Sequence, residues 1–313
     1  MPDPARPPCV IANRLRRTPA VLALALLAAA GCDQANPHTG PAPAPSPSAA
    51  PEPVETPAPG DHRLSTRWNG KDRTFTVHAP PSYDGTKALP LVVVMHAFPG
   101  SGDAVAETSA MSAKADREGF LVLYPDGWSG GMNALICCGD EDDVGLIRTL
   151  VDRMVQRWKA DPARVYATGI SNGGDMSVRL AIELSDVFAA VAPVSGGIGG
   201  RALSDPAYRP AKPVSLVTFI GAQDRYHAQF TAGLAAWRER LACTPDGPHT
   251  IRPAKGLKIE QFKCGDGSRV LVYDIAAMGH SWPGAKQGGM AQPDAPVAAT
   301  DAMWDFFKAH TRS

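Results

Sequence analysis

The sequence predicts an α/β fold, built as a single domain around a mainly parallel sheet with helices on both faces. Strand-like and helical segments alternate from residue 91 onward, which is the pattern of parallel strands joined by right-handed helical crossovers. Residues 91–95 form an uninterrupted apolar run, typical of a strand covered on both faces. A second apolar run, residues 165–168, leads into Gly-Ile-Ser-Asn-Gly and then an amphipathic segment. A strand, a tight turn and a helix are therefore expected there.

The first 31 residues are predicted to be an export signal. Three arginines precede an apolar run at residues 20–30, which is too short to span a bilayer and has the length of a secretory signal core. Small residues then lead into Cys32, as in the lipobox of bacterial lipoproteins, where that cysteine carries the lipid. The sequence thus predicts an exported, cell-envelope lipoprotein, and ordinary cleavage to a secreted protein is the alternative.

Residues 32–60 are predicted to be a disordered linker, and residues 61–313 the folded catalytic domain. Residues 33–60 include nine Pro and six Ala without apolar periodicity, so the segment favours extended polyproline conformations over a packed core. The chain carries 31 Lys and Arg against 31 Asp and Glu, and no basic field indicates a nucleic-acid partner. A membrane is expected as a partner only through a lipid at Cys32.

The domain opens with two β-rich segments joined by Asn69-Gly70, the dipeptide of a two-residue hairpin. Asp142 or Asp143 is expected to cap a helix whose apolar residues share one face, namely Val144, Ile147, Val151, Met154, Val155 and Trp158. The other strands are predicted at residues 63–68, 73–77, 121–124, 189–194, 214–220 and 269–275, and a final helix at residues 297–310.

Ser171 is the candidate nucleophile. It is the central residue of Gly-x-Ser-x-Gly between a strand and a helix, the context in which this motif forms a nucleophile elbow. The flanking Gly169 and Gly173 give the space that such a turn needs. Because the motif alone also occurs by chance, the prediction depends on the strand expected before it and the helix expected after it.

Asp224 and His280 are the candidate acid and base. A serine hydroxyl needs a base to take its proton, and the base needs an acid to hold its tautomer. In folds with this elbow the order along the chain is Ser, acid, His, and both residues follow predicted strands. His227 is an alternative base and Asp274 an alternative acid, but His227 would share one loop with its own acid.

Phe98 and Asn172 are the candidate oxyanion donors, through their backbone N–H groups. One donor is expected directly after the nucleophile and the other in the loop after an early buried strand. That loop begins at His96 and resembles the His-Gly-x-x-Gly loop of esterases, with Ala97 in place of Gly. We interpret His96 as a buried histidine that shapes the loop.

Trp282, Trp128 and Tyr226 are candidate substrate-binding residues because they lie in loops expected near the site. An exposed aromatic ring there could stack on a sugar or an aromatic acid, and ordinary packing in the core is the alternative. The sequence contains no Cys-x-x-Cys pair with histidine partners and no phosphate loop, so no metal and no cofactor are expected.

From about residue 63 to residue 309 the chain resembles the secreted α/β-hydrolase esterases grouped as polyhydroxybutyrate depolymerase-like and feruloyl or acetylxylan esterases. The matching segments are residues 96–100, 124–127, 137–139, 142–145, 161–166, 169–174, 188–195 and 280–284. The resemblance implies an α/β-hydrolase fold with Ser171, Asp224 and His280 at the catalytic positions. Asp175 departs from the family, where an apolar residue is usual.

Four cysteines remain if Cys9 is removed and Cys32 is lipidated, an even number in an oxidising compartment. The resemblance implies a disulfide between Cys243 and Cys264. Cys137 and Cys138 are then left with each other, as a vicinal disulfide or as two thiols.

These features together predict a serine esterase that hydrolyses a small-molecule or polysaccharide-linked ester through an acyl-enzyme. A peptidase of the same fold is the alternative within enzymes. A non-catalytic carbohydrate- or polymer-binding lipoprotein is the alternative outside them.

Overall fold

A mainly parallel sheet positions the candidate catalytic residues of the domain. The computed structural model describes residues 56–247 and 254–312. The predicted export signal, Cys32 and the linker up to residue 55 lie outside the described residues. Val54–Ser313 forms one compact unit.

The strands are β1 (Gly60–Trp68), β2 (Lys71–Ala79), β3 (Leu89–Met95), β4 (Leu121–Pro125), β5 (Ala160–Ile170), β6 (Ala190–Val194), β7 (Ser215–Gly221), β8 (Thr244–Pro245), β9 (Leu257–Lys263), β10 (Arg269–Ile275), β11 (Trp282–Pro283) and β12 (Ala291–Gln292). The helices are α1 (Gly102–Ser109), α2 (Met111–Glu118), α3 (Asp143–Trp158), α4 (Asn172–Glu183), α5 (Arg201–Ser204), α6 (His227–Arg240) and α7 (Ala299–Phe307).

In the described part of the chain, ten strands form one sheet in the order β1-β2-β4-β3-β5-β6-β7-β10-β9-β8. The six strands from β4 to β10 in this order pair in parallel, and antiparallel strands flank them on each side. Parallel strands bring their carboxyl ends, and the loops that follow them, to one edge. The predicted fold class is therefore confirmed.

The sequence of β3 is a continuous apolar run because its side chains are buried on both faces of the sheet. Leu91, Val93 and Met95 belong to the apolar core on one face of the sheet, whereas Val92 and Val94 belong to the core on the other. Alternation with a period of two thus buries every residue of a strand that is covered twice. Helices α3, α4 and α6 contribute to the first core, and α1, α2 and α7 to the second.

The local predictions for the first hairpin and for α3 are confirmed. Asn69 and Gly70 both have positive φ, at 47° and 78°, as a two-residue hairpin turn requires. Asp142 caps α3, and its side chain accepts a hydrogen bond from the Gly145 N–H. Among residues 56–247 and 254–312, every helix is too short or too polar to cross a membrane.

Both cysteine pairs form disulfides. Cys243 is bonded to Cys264, as the resemblance implied, and this bond links the end of α6 to the loop between β9 and β10. Cys137 is bonded to its neighbour Cys138, so the vicinal pairing is the one observed.

Candidate active site

Ser171 lies between β5 and α4 in a strained turn. Its φ of 56° and ψ of −119° are angles that a residue other than glycine rarely adopts and that cluster at functional sites. The Ser171 N–H donates to the Val194 carbonyl at 3.0 Å. A β-carbon on Gly169 would lie 2.5 Å from the Met95 carbonyl oxygen, so the turn tolerates only glycine there. The predicted elbow geometry is thus present at Ser171.

His280 and Asp224 are in direct contact, although 56 residues separate them. His280 Nδ1 lies 2.6 Å from Asp224 Oδ2, and the Tyr226 N–H donates to Asp224 Oδ1 at 2.9 Å. The Asp224 side chain is fully buried, whereas the His280 side chain is 22% exposed. A carboxylate facing Nδ1 fixes the proton on that nitrogen and leaves Nε2 free to accept one.

The loop that carries the acid is tied to the loop that carries the base. The Gln223 N–H donates to the Met278 carbonyl at 2.9 Å, and the Ala222 N–H donates to the Ile275 carbonyl at 3.0 Å. These bonds continue the pairing of β7 with β10 beyond the ends of both strands. The sheet register therefore carries over into the contact between Asp224 and His280.

The two alternative residues contact each other. His227 Nε2 lies 3.3 Å from Asp274 Oδ2, on the first turn of α6 and near the end of β10 respectively. Each of these two side chains therefore has the other as its partner, and neither contacts Asp224 or His280 through a hydrogen bond.

His96 shapes the loop after β3, as interpreted from the sequence. Its Nδ1–H donates to the Ala97 carbonyl at 2.7 Å, and its Nε2 accepts from the Gly127 N–H at 2.9 Å. Burial lowers the pKa of His96, which keeps the ring neutral and suits one donor and one acceptor nitrogen. The ring thereby fixes the path of the loop that contains Phe98.

The Phe98 and Asn172 backbone N–H groups are unpaired within the described part of the chain. The Asn172 side chain, by contrast, is fully used. Its Oδ1 accepts from the Met132 N–H, and its Nδ2 donates to the carbonyls of Met132 and Cys137. The residue after the nucleophile thus anchors the loop that carries the vicinal disulfide.

Of the three aromatic residues predicted to bind substrate, Trp282 does not fit that prediction. It is fully buried, and its indole N–H donates to Thr300 at 3.0 Å, so it cannot stack on a ligand. Tyr226 is 38% exposed and lies edge-on to the His280 ring, with 5.5 Å between ring centroids. Trp128 is 41% exposed, and Lys71 lies over its ring. For Trp282 the packing alternative is therefore the observed one, because a position near the site in sequence does not determine whether a side chain is buried.

The sequence did not identify two exposed apolar side chains, those of Phe98 and Ile136, at the same edge of the sheet. Among the described residues, four large apolar side chains are exposed: Phe98, Trp128, Ile136 and Tyr226. All four lie in loops that follow the carboxyl ends of β3, β4 and β7. The candidate site therefore has an apolar rim. The described residues contain no group of three or more His, Cys, Asp or Glu side chains arranged to hold a metal ion.

Asp175 lies in the first turn of α4, and it is 5% exposed. Burial raises the pKa of its carboxyl from 3.8 to about 7, while the Gly197 N–H, which donates to Asp175 Oδ1 at 2.8 Å, opposes that rise. No opposite charge contributes to the shift. Asp175 is therefore an uncompensated buried acid directly after the elbow.

Replacing this acid should stabilise the fold at neutral and alkaline pH. Because the folded-state pKa is raised, the native state holds a proton that the unfolded chain has lost, and native stability falls as pH rises from about 4 to about 7. Asp175→Asn keeps an acceptor for the Gly197 N–H and cannot ionise. We expect it to gain about 1–4 kcal/mol in free energy of unfolding at pH 8 and little at pH 4. Urea unfolding of both proteins at the two pH values measures this difference, and equal curves at pH 8 would contradict it.

Comparison with known proteins extends the sequence resemblance. The family model described as "Esterase PHB depolymerase" matches residues 74–209. The protein named "Putative esterase NocK" from Nocardia uniformis subsp. tsuyamanensis is 31% identical over 329 aligned positions, which cover 90% of this chain and 93% of that protein. This chain belongs to the polyhydroxybutyrate depolymerase-like esterases.

Two further relatives are longer than this chain, which matches less than half of each. Feruloyl esterase B of Piromyces equi is 28% identical over 258 positions, but the match covers 75% of this chain and only 45% of that esterase. Poly(3-hydroxyalkanoate) depolymerase C of Paucimonas lemoignei is 37% identical over 117 positions, which cover 34% of this chain and 28% of that enzyme.

Solved structures support the α/β-hydrolase fold of this chain. An acetyl xylan esterase from Aspergillus awamori superposes with a TM-score of 0.60 at 16% identity, covering 80% of this chain and 99% of that one. A thermostable esterase superposes with a TM-score of 0.55 at 15% identity, covering 80% of this chain and 63% of that one.

Proposed function

We propose that this protein is a serine carboxylic ester hydrolase. Ser171 is the nucleophile, His280 the base and acid, and Asp224 the group that orients His280. The backbone N–H groups of Phe98 and Asn172 hold the oxyanion. One observation carries the proposal: His280 contacts the buried Asp224 at the same edge of the sheet as the strained turn at Ser171.

The proposed reaction has two half-reactions. In the first, His280 Nε2 takes the proton of the Ser171 hydroxyl as its oxygen attacks the ester carbonyl, and the carbonyl oxygen becomes negative. When the intermediate collapses, His280 gives the proton to the leaving alcohol. Water, deprotonated by His280, then attacks the acyl-enzyme and releases the acid and Ser171. Unpaired N–H groups aimed at the developing oxyanion would stabilise both tetrahedral intermediates.

A small-molecule or polysaccharide-linked ester is the proposed substrate. Relatives carry the names feruloyl esterase, acetylxylan esterase and poly(3-hydroxyalkanoate) depolymerase. The exposed Tyr226 and Trp128 are proposed to contact the substrate. The apolar rim around the site, which also includes Phe98 and Ile136, favours an acyl group or a chain with apolar surface.

We also propose that the protein is exported and anchored through a lipid at Cys32, with the predicted linker between the anchor and the domain. The support is the sequence of the first 60 residues. Lipidation would be read from the mass of the mature amino-terminal peptide, and a Cys32→Ala variant should be released from membranes.

A substrate panel tests the ester hydrolase proposal. It contains nitrophenyl acetate and butyrate, methyl ferulate, acetylated xylan and polyhydroxybutyrate, with a nitroanilide for amide cleavage. We expect turnover of at least one ester and little of the amide. We also expect His280→Ala to lose roughly 10⁴-fold or more in kcat, because the proton acceptor is absent.

His227→Ala is the matched control, since His227 lies at the start of α6, three residues after Asp224, and pairs with Asp274. It should keep activity within about threefold, in line with a residue that takes no part in proton transfer. If His227→Ala lost activity and His280→Ala retained it, His227 rather than His280 would be the base. No turnover of any ester by the wild type would favour a binding protein, and equal cleavage of amides would favour a peptidase.

A further inference from the structure

Ser195 lies at the end of β6, between the strand that precedes the nucleophile and the strand that precedes the acid. It is fully buried. Its φ is 43°, in the left-handed region where residues other than glycine are uncommon and are often held by function. Burial keeps the side chain away from any substrate, so a role must act through other protein groups.

The Ser195 hydroxyl holds both polar groups of one peptide residue. It donates to the Ser281 carbonyl at 3.0 Å and accepts from the Ser281 N–H at 3.2 Å. A hydroxyl has one proton to donate and lone pairs to accept, so both bonds are compatible. Ser281 follows His280 directly. A single oxygen therefore fixes the backbone next to the proposed base.

The backbone around Ser195 holds the nucleophile from the other side. The Val194 carbonyl accepts the Ser171 N–H at 3.0 Å, and the Ser195 N–H donates to the Phe219 carbonyl of β7 at 2.9 Å. Gly196 packs so closely that a β-carbon there would lie 2.8 Å from the Ser171 carbonyl oxygen. Consecutive residues at the end of β6 thus bind the elbow and the histidine loop.

We propose that Ser195 is a positioning residue that sets the place of His280 relative to Ser171, a role that rests on the proposed function of those two residues. Without the hydroxyl, both backbone groups of Ser281 lose their partner, and the histidine loop loses its bonds to the end of β6, which in turn holds the elbow. Asp224 and Tyr226, which face the imidazole, remain in place. The loss should therefore appear in the chemical step rather than in substrate binding.

The test compares Ser195→Ala and Ser195→Gly with the wild type on the best ester of the panel. Glycine removes the hydroxyl but adopts the positive φ freely, so it keeps the fold intact if the alanine variant is poorly stable. We expect both variants to lose roughly 10- to 100-fold in kcat, the size of effect that a small misplacement of reacting groups gives, with KM within about threefold.

Ser215→Ala is the matched control. Ser215 is also a buried serine, and its hydroxyl accepts the Arg269 N–H at 3.1 Å near the start of β7, at the opposite end of that strand from Asp224. It should change neither kcat nor KM. Wild-type kcat in both Ser195 variants, or a loss confined to KM, would overturn the inference. If Ser171→Ala is inactive in the same assay, that outcome leaves the proposed function standing, whereas an active Ser171→Ala removes the basis of both.

Discussion

Ser171→Ala should lower kcat for ester hydrolysis by at least about 10⁴-fold. The hydroxyl oxygen forms the bond to the acyl carbon, and no other group of the proposed site replaces it, so only oxyanion stabilisation and substrate binding would remain. The rate is measured under substrate saturation on the best ester of the panel, with the variant purified separately from the wild type. Activity within tenfold of the wild type would remove Ser171 from the mechanism.

Ser171→Gly separates the chemical role from the conformational one. It should be as inactive as Ser171→Ala, but more stable than that variant by about 1 kcal/mol or more. Glycine adopts a φ of 56° with a ψ of −119° without the strain that a β-carbon causes. Chemical denaturation of the two inactive variants gives the difference. Equal stability would indicate that the turn is relaxed rather than strained.

Asp224→Asn should lower kcat by about 10⁴-fold while leaving the fold intact. The Tyr226 N–H donates to Asp224 Oδ1, so an amide at this position keeps its oxygen there and turns its NH₂ group toward His280 Nδ1. An NH₂ group facing Nδ1 forces the ring proton onto Nε2, which can then no longer accept the serine proton. Steady-state kinetics on the purified variant measure the loss.

Asp274→Asn is the control for this substitution, because Asp274 was the alternative acid and contacts His227 instead. We expect it to keep activity near that of the wild type. If Asp274→Asn is impaired and Asp224→Asn is active, the acid has been assigned to the wrong strand.

The central strands and the elbow could be predicted because their local signals agree with their burial. The run at residues 91–95 is apolar because both faces of β3 are covered, and Gly169 is required by its approach to the Met95 carbonyl. Strand β9 was missed. It pairs antiparallel with β10, and its sequence alternates only over its first residues, where Leu257 and Ile259 are buried. Short alternation at the side of a sheet gives a weak signal.

The contacts within the site depend on tertiary structure and were harder to predict from the sequence. The order of acid and base along the chain indicated Asp224 and His280, but their 2.6 Å contact follows from the pairing of β7 with β10. Trp282 could not be distinguished from an exposed aromatic because the packing of α7 against the sheet decides its burial. Ser195 ends a segment that resembles the esterase family, but no catalytic motif includes it, and its role is visible only in the bonds of its hydroxyl to Ser281.

Covalent labelling tests the central claim most directly. An aryl phosphonate ester that reacts with activated serines would be added to the wild type, to Ser171→Ala and to His280→Ala, and followed by intact mass and peptide mapping. We expect one adduct on Ser171 of the wild type, none on Ser171→Ala, and labelling of His280→Ala slowed by at least 100-fold. An adduct on another residue of an active enzyme, or labelling of His280→Ala at the wild-type rate, would contradict the account.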